Sequence, residues 1–440
     1  MNSAVITLPT ITGLLGNLLP LKYGKSLPAA SRDSSGSVPV FGSSGVVGSH
    51  SAALTTGPTI IVGRKGNVGA VHYSSLPCWP IDTAYFVEPP SGHNPAYYSY
   101  LLQSLNLVRL DKSTAIPGLS RDDYNAVEVM IHPPDEQDGV VAEIEKQFSR
   151  LDEAVANLQR VKANLKRYKA AVLKAAVEGR LVETEASLAH REGRSYETGD
   201  RLLQRILEER RTKWAGKRKY REPVKPETVS LSELPAGWAW ASPEQLSAGE
   251  PYSLAIGPFG SSLKVSDYKT EGVPLVFVRN IRSVTFGGEN TVYVTTDKAA
   301  ELAAHTVEAG DILVTKMGAP PGDVCRYPAN RPFAVITADC IKLRLTNVGV
   351  DPSFIENAFA SRVVQDQILS ITKGVAQLKV NLVNFSSIAL PLPPYAEQAR
   401  IVAEVDRHLS IIREVVAEVD ANLQRAQALR QSILHMSFVV

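Results

Sequence analysis

The chain contains an internal repeat whose second copy follows the first at a constant offset of 261 residues, the separation of Gln137 from Gln398. Pro133 meets Pro394 at the same offset, without gaps. Each copy runs from an extended apolar segment through a proline turn into a long helical pattern. A repeat of this length exceeds the roughly 20–50 residues of solenoid units. It therefore indicates a duplicated module of one domain and one helix, which suits a partner that is itself two-fold.

Two segments without proline predict the long helices. Apolar residues recur in steps of four and three from Asp138 to about Glu178, and again from Glu397 to the C-terminus. This heptad spacing is typical of a helix that pairs with another helix. Each helix of about 40 residues would be about 60 Å long. The predicted helix-pair interface consists of Ile144, Phe148, Leu151, Val155, Leu158, Leu165, Val172, Ile401, Val405, Ile412, Val416, Val419, Leu423 and Ile433.

The predicted fold class is α+β: two β-rich domains joined by two long antiparallel coiled-coil helices, with a pseudo-two-fold internal repeat. Antiparallel pairing is favoured because the second domain can then follow the first helix directly, although the long connection also permits parallel pairing. The predicted divisions are a first domain at residues 1–136, a first helix at 137–180, a connector with a short helix at 181–237, a second domain at 238–396 and a second helix at 397–440.

Short β-branched and apolar runs between turn residues predict the strands. The candidates are Thr59–Val62, Ala84–Val87, Pro274–Arg279, Asp311–Thr315 and Cys340–Leu345, and the connector helix is expected at Asp200–Trp214.

Composition excludes several classes of protein. The net charge of +2 neither requires nor excludes nucleic acid, since binding depends on a local basic face. The three cysteines are far apart and in no CxxC spacing, so we expect neither a metal site nor disulfides, and a cytoplasmic location. No apolar run reaches the roughly 20 residues of a membrane span. The segment Ala4–Leu21 lacks a preceding basic region and contains Pro9 and Pro20, so we expect no signal peptide.

Catalytic motifs are weak. The tetrapeptide Leu392-Pro393-Pro394-Tyr395 resembles the one with which adenine N6-methyltransferases hold the target amine, but Leu392 replaces the polar first residue. No strand is followed by a glycine-rich cofactor loop. The spacing of Asp267 and Lys269 matches metal-dependent nucleases without their usual upstream Pro-Asp. We therefore predict no catalysis by this chain alone.

Glycine-flanked turns with small and basic residues are the candidate binding elements. Arg64 and Lys316 follow matching apolar strands in the two copies. Such turns let backbone N–H groups approach phosphate, and Arg or Asn side chains can read base edges. A single turn of this kind is more often a solvated β-turn, and the basic run 210–219 is more often a solvated helix end. The predicted DNA-binding residues are Ser43, Ser44, Arg64, Lys65, Asn67, Ser261, Ser262, Arg279, Asn280, Lys316 and Lys379.

Several longer sequence motifs contain or flank these turns. The first domain contains FGSSGVVG at 41–48, IIVGRKGNVG at 60–69 and WPIDT at 79–83. The second contains LPAGW at 234–238, GPFGSSL at 257–263 and SDY at 266–268, and LPLPP at 390–394 leads to Glu397-Gln398. Jointly these phrases resemble the DNA-specificity subunit of type I restriction-modification systems. The first domain departs from the family by lacking the Leu-Pro-x-Gly-Trp opening, and begins around 15–17 instead.

The resemblance implies two target-recognition domains, each reading one half of a bipartite double-stranded DNA sequence, with the helix pair fixing the gap. It further implies two modification subunits that supply S-adenosylmethionine and the adenine-methylating site. Restriction subunits would add ATP- and Mg²⁺-dependent translocation and cleavage. The chain itself is expected to bind no cofactor. Half-sites about one turn of B-DNA apart, roughly 34 Å, would need readers of matching spacing.

Two other functions compete with this interpretation. A coiled-coil adaptor that binds protein through its end domains would not need the paired basic turns. A self-contained restriction–methyltransferase enzyme would need the cofactor loop and the polar tetrapeptide that this sequence lacks.

Overall fold

The computed structural model describes residues 11–111, 118–214, 219–229, 231–281, 286–288, 290–373 and 378–438. Its strands are β1 (Ile11–Leu14), β2 (Lys22–Tyr23), β3 (Val38–Gly42), β4 (Gly45–His50), β5 (Thr59–Gly63), β6 (Val71–Ser74), β7 (Trp79–Pro80), β8 (Ala84–Val87), β9 (Glu128–Ile131), β10 (Ala239–Ala241), β11 (Leu254–Ile256), β12 (Val273–Val276), β13 (Tyr293–Val294), β14 (Thr306–Val307), β15 (Ile312–Thr315), β16 (Met317–Gly318), β17 (Val324–Arg326), β18 (Ala334–Ile336), β19 (Cys340–Leu343), β20 (Leu378–Lys379) and β21 (Leu390–Leu392).

The α-helices are α1 (Leu15–Leu18), α2 (Pro95–Ser104), α3 (Arg121–Asn125), α4 (Pro134–Val177), α5 (Glu185–Glu192), α6 (Gly199–Thr212), α7 (Pro243–Leu246), α8 (Val278–Ile281), α9 (Thr296–Glu301), α10 (Pro352–Ala360), α11 (Arg362–Ser370), α12 (Leu382–Ser386) and α13 (Tyr395–Phe438). The chain divides into two compact units. Unit 1 is Met1–Lys162 with Ala417–Val440, and unit 2 is Ala163–Val416. Each unit therefore contains one β-rich domain and part of each long helix.

The main sheets of the two units match strand for strand. Unit 1 has the order β2-β8-β5-β6, and unit 2 has the order β11-β19-β15-β17, with every neighbouring pair antiparallel. The central strands β5 and β15 are buried at every position. Their apolar sequences are what a fully buried strand requires. The structure thus bears out the matching of Ile60-Ile61-Val62 with Ile312-Leu313-Val314.

Each long helix begins at a two-stranded sheet. In unit 1, β1 pairs with β9 in a register that puts Ile11 opposite Ile131. In unit 2, β10 pairs with β21, and Ala239 lies opposite Leu392. The prolines that follow β9 and β21 stop the strand, and a proline is tolerated in the first turn of a helix because its missing N–H has no partner there. Pro134 is the first residue of α4 and Pro394 immediately precedes α13, so both helices begin a few residues before the predicted starts.

A buried glutamine joins the start of each long helix to its domain. Gln137 Oε1 accepts a hydrogen bond from the N–H of Asn94 at 3.0 Å, and Nε2 donates to the carbonyl of His132 at 3.0 Å. Gln398 Oε1 accepts from the N–H of Asp351 at 2.7 Å, and Nε2 donates to the carbonyl of Pro393 at 3.0 Å.

Asn94 and Asp351 are themselves the N-caps of α2 and α10. Both glutamine side chains are fully buried. The repeat detected in sequence therefore corresponds to one hydrogen-bonded joint that is built twice.

The two long helices pair antiparallel in both units, as predicted. In unit 1, Lys162 Nζ lies 2.6 Å from Asp420 Oδ1, and Arg430 Nη1 lies 2.6 Å from Asp152 Oδ1. Residue numbers on α4 therefore rise as those of their partners on α13 fall, which is the pattern of an antiparallel pair. In unit 2, the Tyr168 hydroxyl is hydrogen-bonded to His408 Nδ1 at 2.9 Å.

The predicted interface residues of these helices are all buried or half-buried, from Ile144, Phe148, Leu151, Val155 and Leu158 through Leu165 and Val172 on α4 to Ile401, Val405, Ile412, Val416, Val419, Leu423 and Ile433 on α13.

The connector is part of the core of unit 2 rather than a separate link. Leu202 and Ile206 of α6 are buried among Trp238, Leu246 and Phe354. The carboxylate of Glu397 accepts from the N–H of Glu185, at the start of α5, at 2.8 Å and from the indole N–H of Trp238 at 3.1 Å. Burial raises the pKa of Glu397.

Two further features differ from the sequence predictions. The helices α2, α10 and α11 were not predicted, because their short apolar segments have no clear period. The strand expected at Pro274–Arg279 ends at Val276 and turns into α8. The turn forms because the Asn280 side chain accepts from the N–H of Phe277 at 2.8 Å and donates to the carbonyl of Gly287 at 2.7 Å.

Replacing Gln398 by alanine should lower the free energy of unfolding by about 1–3 kcal/mol, because the N–H of Asp351 and the carbonyls of Gly349 and Pro393 lose a buried partner. Urea unfolding followed by circular dichroism measures the change. The exposed Gln427→Ala on the same helix is the control. Equal stability of the two variants would show that the glutamine joint does not stabilise the fold.

Candidate nucleic-acid interface

In unit 1, the basic turn follows the central strand of the main sheet. The N–H groups of Arg64 and Lys65 both donate to the carbonyl of Thr83, at 3.0 and 3.1 Å. Gly69 closes the turn with a φ of +74°, and a Cβ there would lie 2.5 Å from the backbone nitrogen of Val108. The turn therefore requires glycine at this position. It leaves the side chains of Lys65 and Asn67 exposed.

The β3–β4 hairpin brings the two predicted serines to this turn. A Cβ built on Gly66 would lie 3.4 Å from Ser43 Oγ, which shows how closely the turns approach. The carbonyl of Ser43 accepts a hydrogen bond from His72 Nε2 at 3.2 Å. Ser43 is largely buried and Ser44 is exposed. The two turns therefore lie side by side, and we call their five predicted residues the first basic surface: Ser43, Ser44, Arg64, Lys65 and Asn67.

Aromatic rings fix the guanidinium of Arg64. Its Cζ lies 5.6 Å from the ring centroid of Tyr23 and 5.9 Å from that of Tyr85. Arg64 Nε donates to the carbonyl of Asp82 at 3.1 Å. Burial raises the pKa of Tyr85, whose ring packs edge-on against Tyr23. Arg121 also lies over the Tyr23 ring, at 5.7 Å.

In unit 2, Lys316 occupies the equivalent place directly after β15. Its N–H donates to the carbonyl of Asp339 at 2.8 Å, and its Nζ donates to the carbonyl of Ala338 at 3.2 Å. Met317, the next residue, pairs with Lys379 in the β16–β20 sheet. The two predicted lysines are therefore neighbours, although they are far apart in sequence.

The loop that carries Ser261 and Ser262 packs beside Lys316. The Lys316 Nζ lies 5.7 Å from the ring centroid of Phe259. A Cβ on Gly257 would lie only 2.0 Å from the carbonyl oxygen of Thr337, so the loop can approach the strand end only with glycine there. Ser261 and Ser262 are both exposed. We call Ser261, Ser262, Lys316, Lys379 and Phe259 the second basic surface.

Arg279 and Asn280 follow β12, which belongs to a different sheet from β15. Arg279 is exposed, with Cζ 4.1 Å above the Phe277 ring, and its Nη2 donates to the carbonyl of Asn290 at 3.0 Å. Asn280 is buried, and its amide shapes the turn, as described above. It could reach DNA only by giving up both hydrogen bonds, so its place in the fold favours a supporting role.

The electrostatics of these cations set them apart from many other basic residues. Among the described residues, Arg64, Arg279, Lys316 and Lys379 form no ion pair with a carboxylate. By contrast, Lys22 is paired with Glu88 and Lys298 with Glu301. An unpaired cation at a strand end is available to an external anion such as a phosphate oxygen.

The remaining motifs of the sequence have structural places in the part of the chain that the structure describes. No group of three or more metal-ligating side chains occurs there. Leu392 is buried within β21, and Asp267 Oδ2 caps its own turn by accepting from the N–H of Lys264 at 2.7 Å. Cys78, Cys325 and Cys340 are buried free thiols. None of the described helices is long and apolar enough to cross a membrane.

The sequence did not identify Tyr23, Arg121 or Phe259 as part of these surfaces. Tyr23 and Arg64 come together only because β2 and β5 lie on either side of β8. The only signal in sequence was the aromatic residue within the glycine-rich phrase 257–263.

Each unit thus contains a β-rich domain with a basic turn directly after an interior strand of its main sheet, an arrangement that suits contact with nucleic acid. The model of the type I restriction modification DNA specificity domain matches residues 12–167 and 285–420, more than half of the chain. The chain belongs to this family, and its role is in DNA sequence specificity.

Individual relatives are distant. The chain is 22% identical to the type I restriction enzyme EcoDI specificity subunit of Escherichia coli over 96% of this chain and 86% of that protein. It is 24% identical to the EcoEI specificity subunit of Escherichia coli over 60% of this chain and 43% of that protein. A chain from a structure describing complex assembly and conformational transition of a type I R-M system shares the fold, with a TM-score of 0.61, 15% identity and 98% coverage of both chains.

The sheet that carries Lys316 also contains a buried lysine with a testable pH dependence. Burial, together with the charge of Arg344, lowers the pKa of Lys342 to about 8 from 10.5, against the opposing effect of Asp311. Between these values the unfolded chain binds a proton that the folded chain does not, so this lysine makes stability rise with pH across that window.

Lys342→Met should therefore stabilise the protein most below about pH 8, and its advantage over the wild type should shrink as the pH approaches 10.5. Urea unfolding at several pH values measures the difference, with the exposed Lys225→Met as the control. A difference that does not change with pH would contradict the lowered pKa.

Proposed function

We propose that this chain is the specificity subunit of a type I restriction-modification complex, and that the β-rich domain of each unit reads one half of a bipartite double-stranded DNA target. The observation that carries the proposal is the equivalence of the two basic surfaces. Each lies at the end of the central strand of a sheet with the same strand order, and each has a cation without a carboxylate partner among the described residues. Duplicated readers suit a target made of two half-sites.

The chain is proposed to act without catalysis and without a cofactor of its own. Two modification subunits would dock on the long helices and supply S-adenosylmethionine and the adenine-N6 methylation site. Restriction subunits would supply ATP- and Mg²⁺-dependent translocation and cleavage in a cytoplasmic complex. The helices would set the spacing of the half-sites. The family and the specificity subunits named above support the part of this assignment that gives the chain a DNA-specificity role in such a complex.

The deciding experiment is co-expression with a type I modification subunit from the same locus, followed by sequencing of the modified bases in host DNA. We expect a bipartite N6-methyladenine motif that requires both proteins. A stable complex that neither methylates nor binds any duplex would overturn the proposal and favour a coiled-coil adaptor for proteins.

Single substitutions should separate the two half-sites. Arg64→Ala should relax the motif in one half only, and Lys316→Ala in the other, because each removes a contact from one unit. The expected loss of discrimination is about 1–3 kcal/mol at the affected position if the side chain reads a base. The degeneracy of the methylated motif gives the measurement.

The matched controls are Lys22→Ala and Lys298→Ala, which remove cations already paired with a carboxylate in unit 1 and unit 2. These should leave the motif unchanged. Relaxation of both halves by either test variant would identify a general phosphate contact instead of a half-site reader.

A further inference from the structure

Each unit exposes one large aromatic ring beneath the basic side chain that follows its central strand. Tyr23 is 55% exposed and lies under Arg64, at 5.6 Å. Phe259 is 69% exposed and lies under Lys316, at 5.7 Å. A ring and a cation at this distance attract each other, but an exposed pair contributes only about 0.5–1 kcal/mol. A single exposed apolar side chain is ordinary on a protein surface, so what distinguishes these two rings is that the same pairing with a cation recurs in both units.

The two pairs are built from equivalent elements without shared sequence. Tyr23 lies in β2, and Phe259 follows β11 by three residues; these are the edge strands in the same position of the two sheets. Arg64 directly follows β5, and Lys316 directly follows β15. The same juxtaposition thus arises from Tyr and Arg in one copy and from Phe and Lys in the other. This independent recurrence points to the function of the surface.

The apolar character of the Phe259 ring limits the groups on DNA that it can recognise. Phe259 has no polar side-chain atom, so it can distinguish base pairs only through an apolar group. On the major-groove edge of DNA the apolar group is the 5-methyl of thymine. The cation beside the ring is held by a carbonyl, that of Asp82 for Arg64 and that of Ala338 for Lys316. Each surface therefore presents a fixed positive charge next to a flat apolar face, which matches a phosphate or guanine adjacent to a thymine.

We propose that Tyr23 and Phe259 are specificity-determining residues, each contacting the 5-methyl group of a thymine in its half-site beside the group held by Arg64 or Lys316. This inference rests on the proposed function, because it requires a defined DNA target. If each half-site carries a methylated adenine, as the proposed function requires, each also contains a thymine as the pairing partner of that adenine.

The test uses the complete chain in complex with its modification subunit and a duplex carrying the methylated motif. Each thymidine of the half-site read by unit 2 is replaced singly by deoxyuridine, which removes only the methyl group. Wild-type affinity should fall about fourfold at one position, the value expected for one buried methyl. Phe259→Ala should bind more weakly overall and lose the sensitivity to deoxyuridine at that position.

Conservative variants keep the result independent of folding. Phe259→Leu retains an apolar contact and should keep most of the sensitivity to deoxyuridine. The same series in the other half-site uses Tyr23→Ala and Tyr23→Phe. The controls are Phe333→Ala in unit 2 and Tyr73→Ala in unit 1, which shorten exposed rings away from the two cations and should behave as the wild type.

The outcomes distinguish this inference from the proposed function. A wild-type complex that neither methylates nor binds a defined motif would overturn both. A wild-type complex with a bipartite motif, but with alanine variants that keep the full motif and the same sensitivity to deoxyuridine, would overturn only the role of the rings.

Discussion

The fold depends on the hydrogen bonds that a buried glutamine makes where each long helix begins. A helix start leaves backbone N–H groups without partners, and so does the start of the short helix that packs beside it. Gln137 and Gln398 each accept from the N–H of the residue that caps the neighbouring short helix, and each donates to the carbonyl of the residue that follows the strand before its own helix. The long helix, the short helix and the β-rich domain are thereby held at one point in each unit.

The sequence was informative where a pattern repeats and uninformative where a single side chain decides the local structure. The long helices follow from heptads, and β5 and β15 follow from apolar runs between turn residues. By contrast, the chain leaves the extended conformation after Val276 because one amide, that of Asn280, bonds across a turn. The helices α2 and α10 each begin at a capping residue, Asn94 or Asp351, that is followed by proline, but the bonds from these caps to Gln137 and Gln398 join residues that are distant in sequence.

In the two basic surfaces, too, some residues could be predicted from the sequence and others could not. Glycine-flanked basic turns were visible in sequence, and the structure brings Ser43 to the turn of Arg64 and Lys379 to Lys316. The aromatic rings were not visible, because their contacts with the cations depend on strand order. The recognition elements are side chains at strand ends, whereas the glutamine joints lie in the buried framework. Substitution of the side chains at the strand ends need not disturb the buried hydrogen bonds of Gln137 and Gln398.

The connector between the two copies has a consequence for how the chain tolerates change. Glu397 bonds the first N–H of α5 and the indole of Trp238, while α6 buries Leu202 and Ile206 in the same core. Residues 185–206 are thus part of the folded core of unit 2 and are not a flexible linker. An insertion within that stretch would break the hydrogen bond between Glu185 and the buried carboxylate of Glu397, or would remove α6 from the core. An insertion at an exposed loop tip would do neither. Length variation in relatives of this protein is therefore expected in the recognition loops and not in the link that joins them.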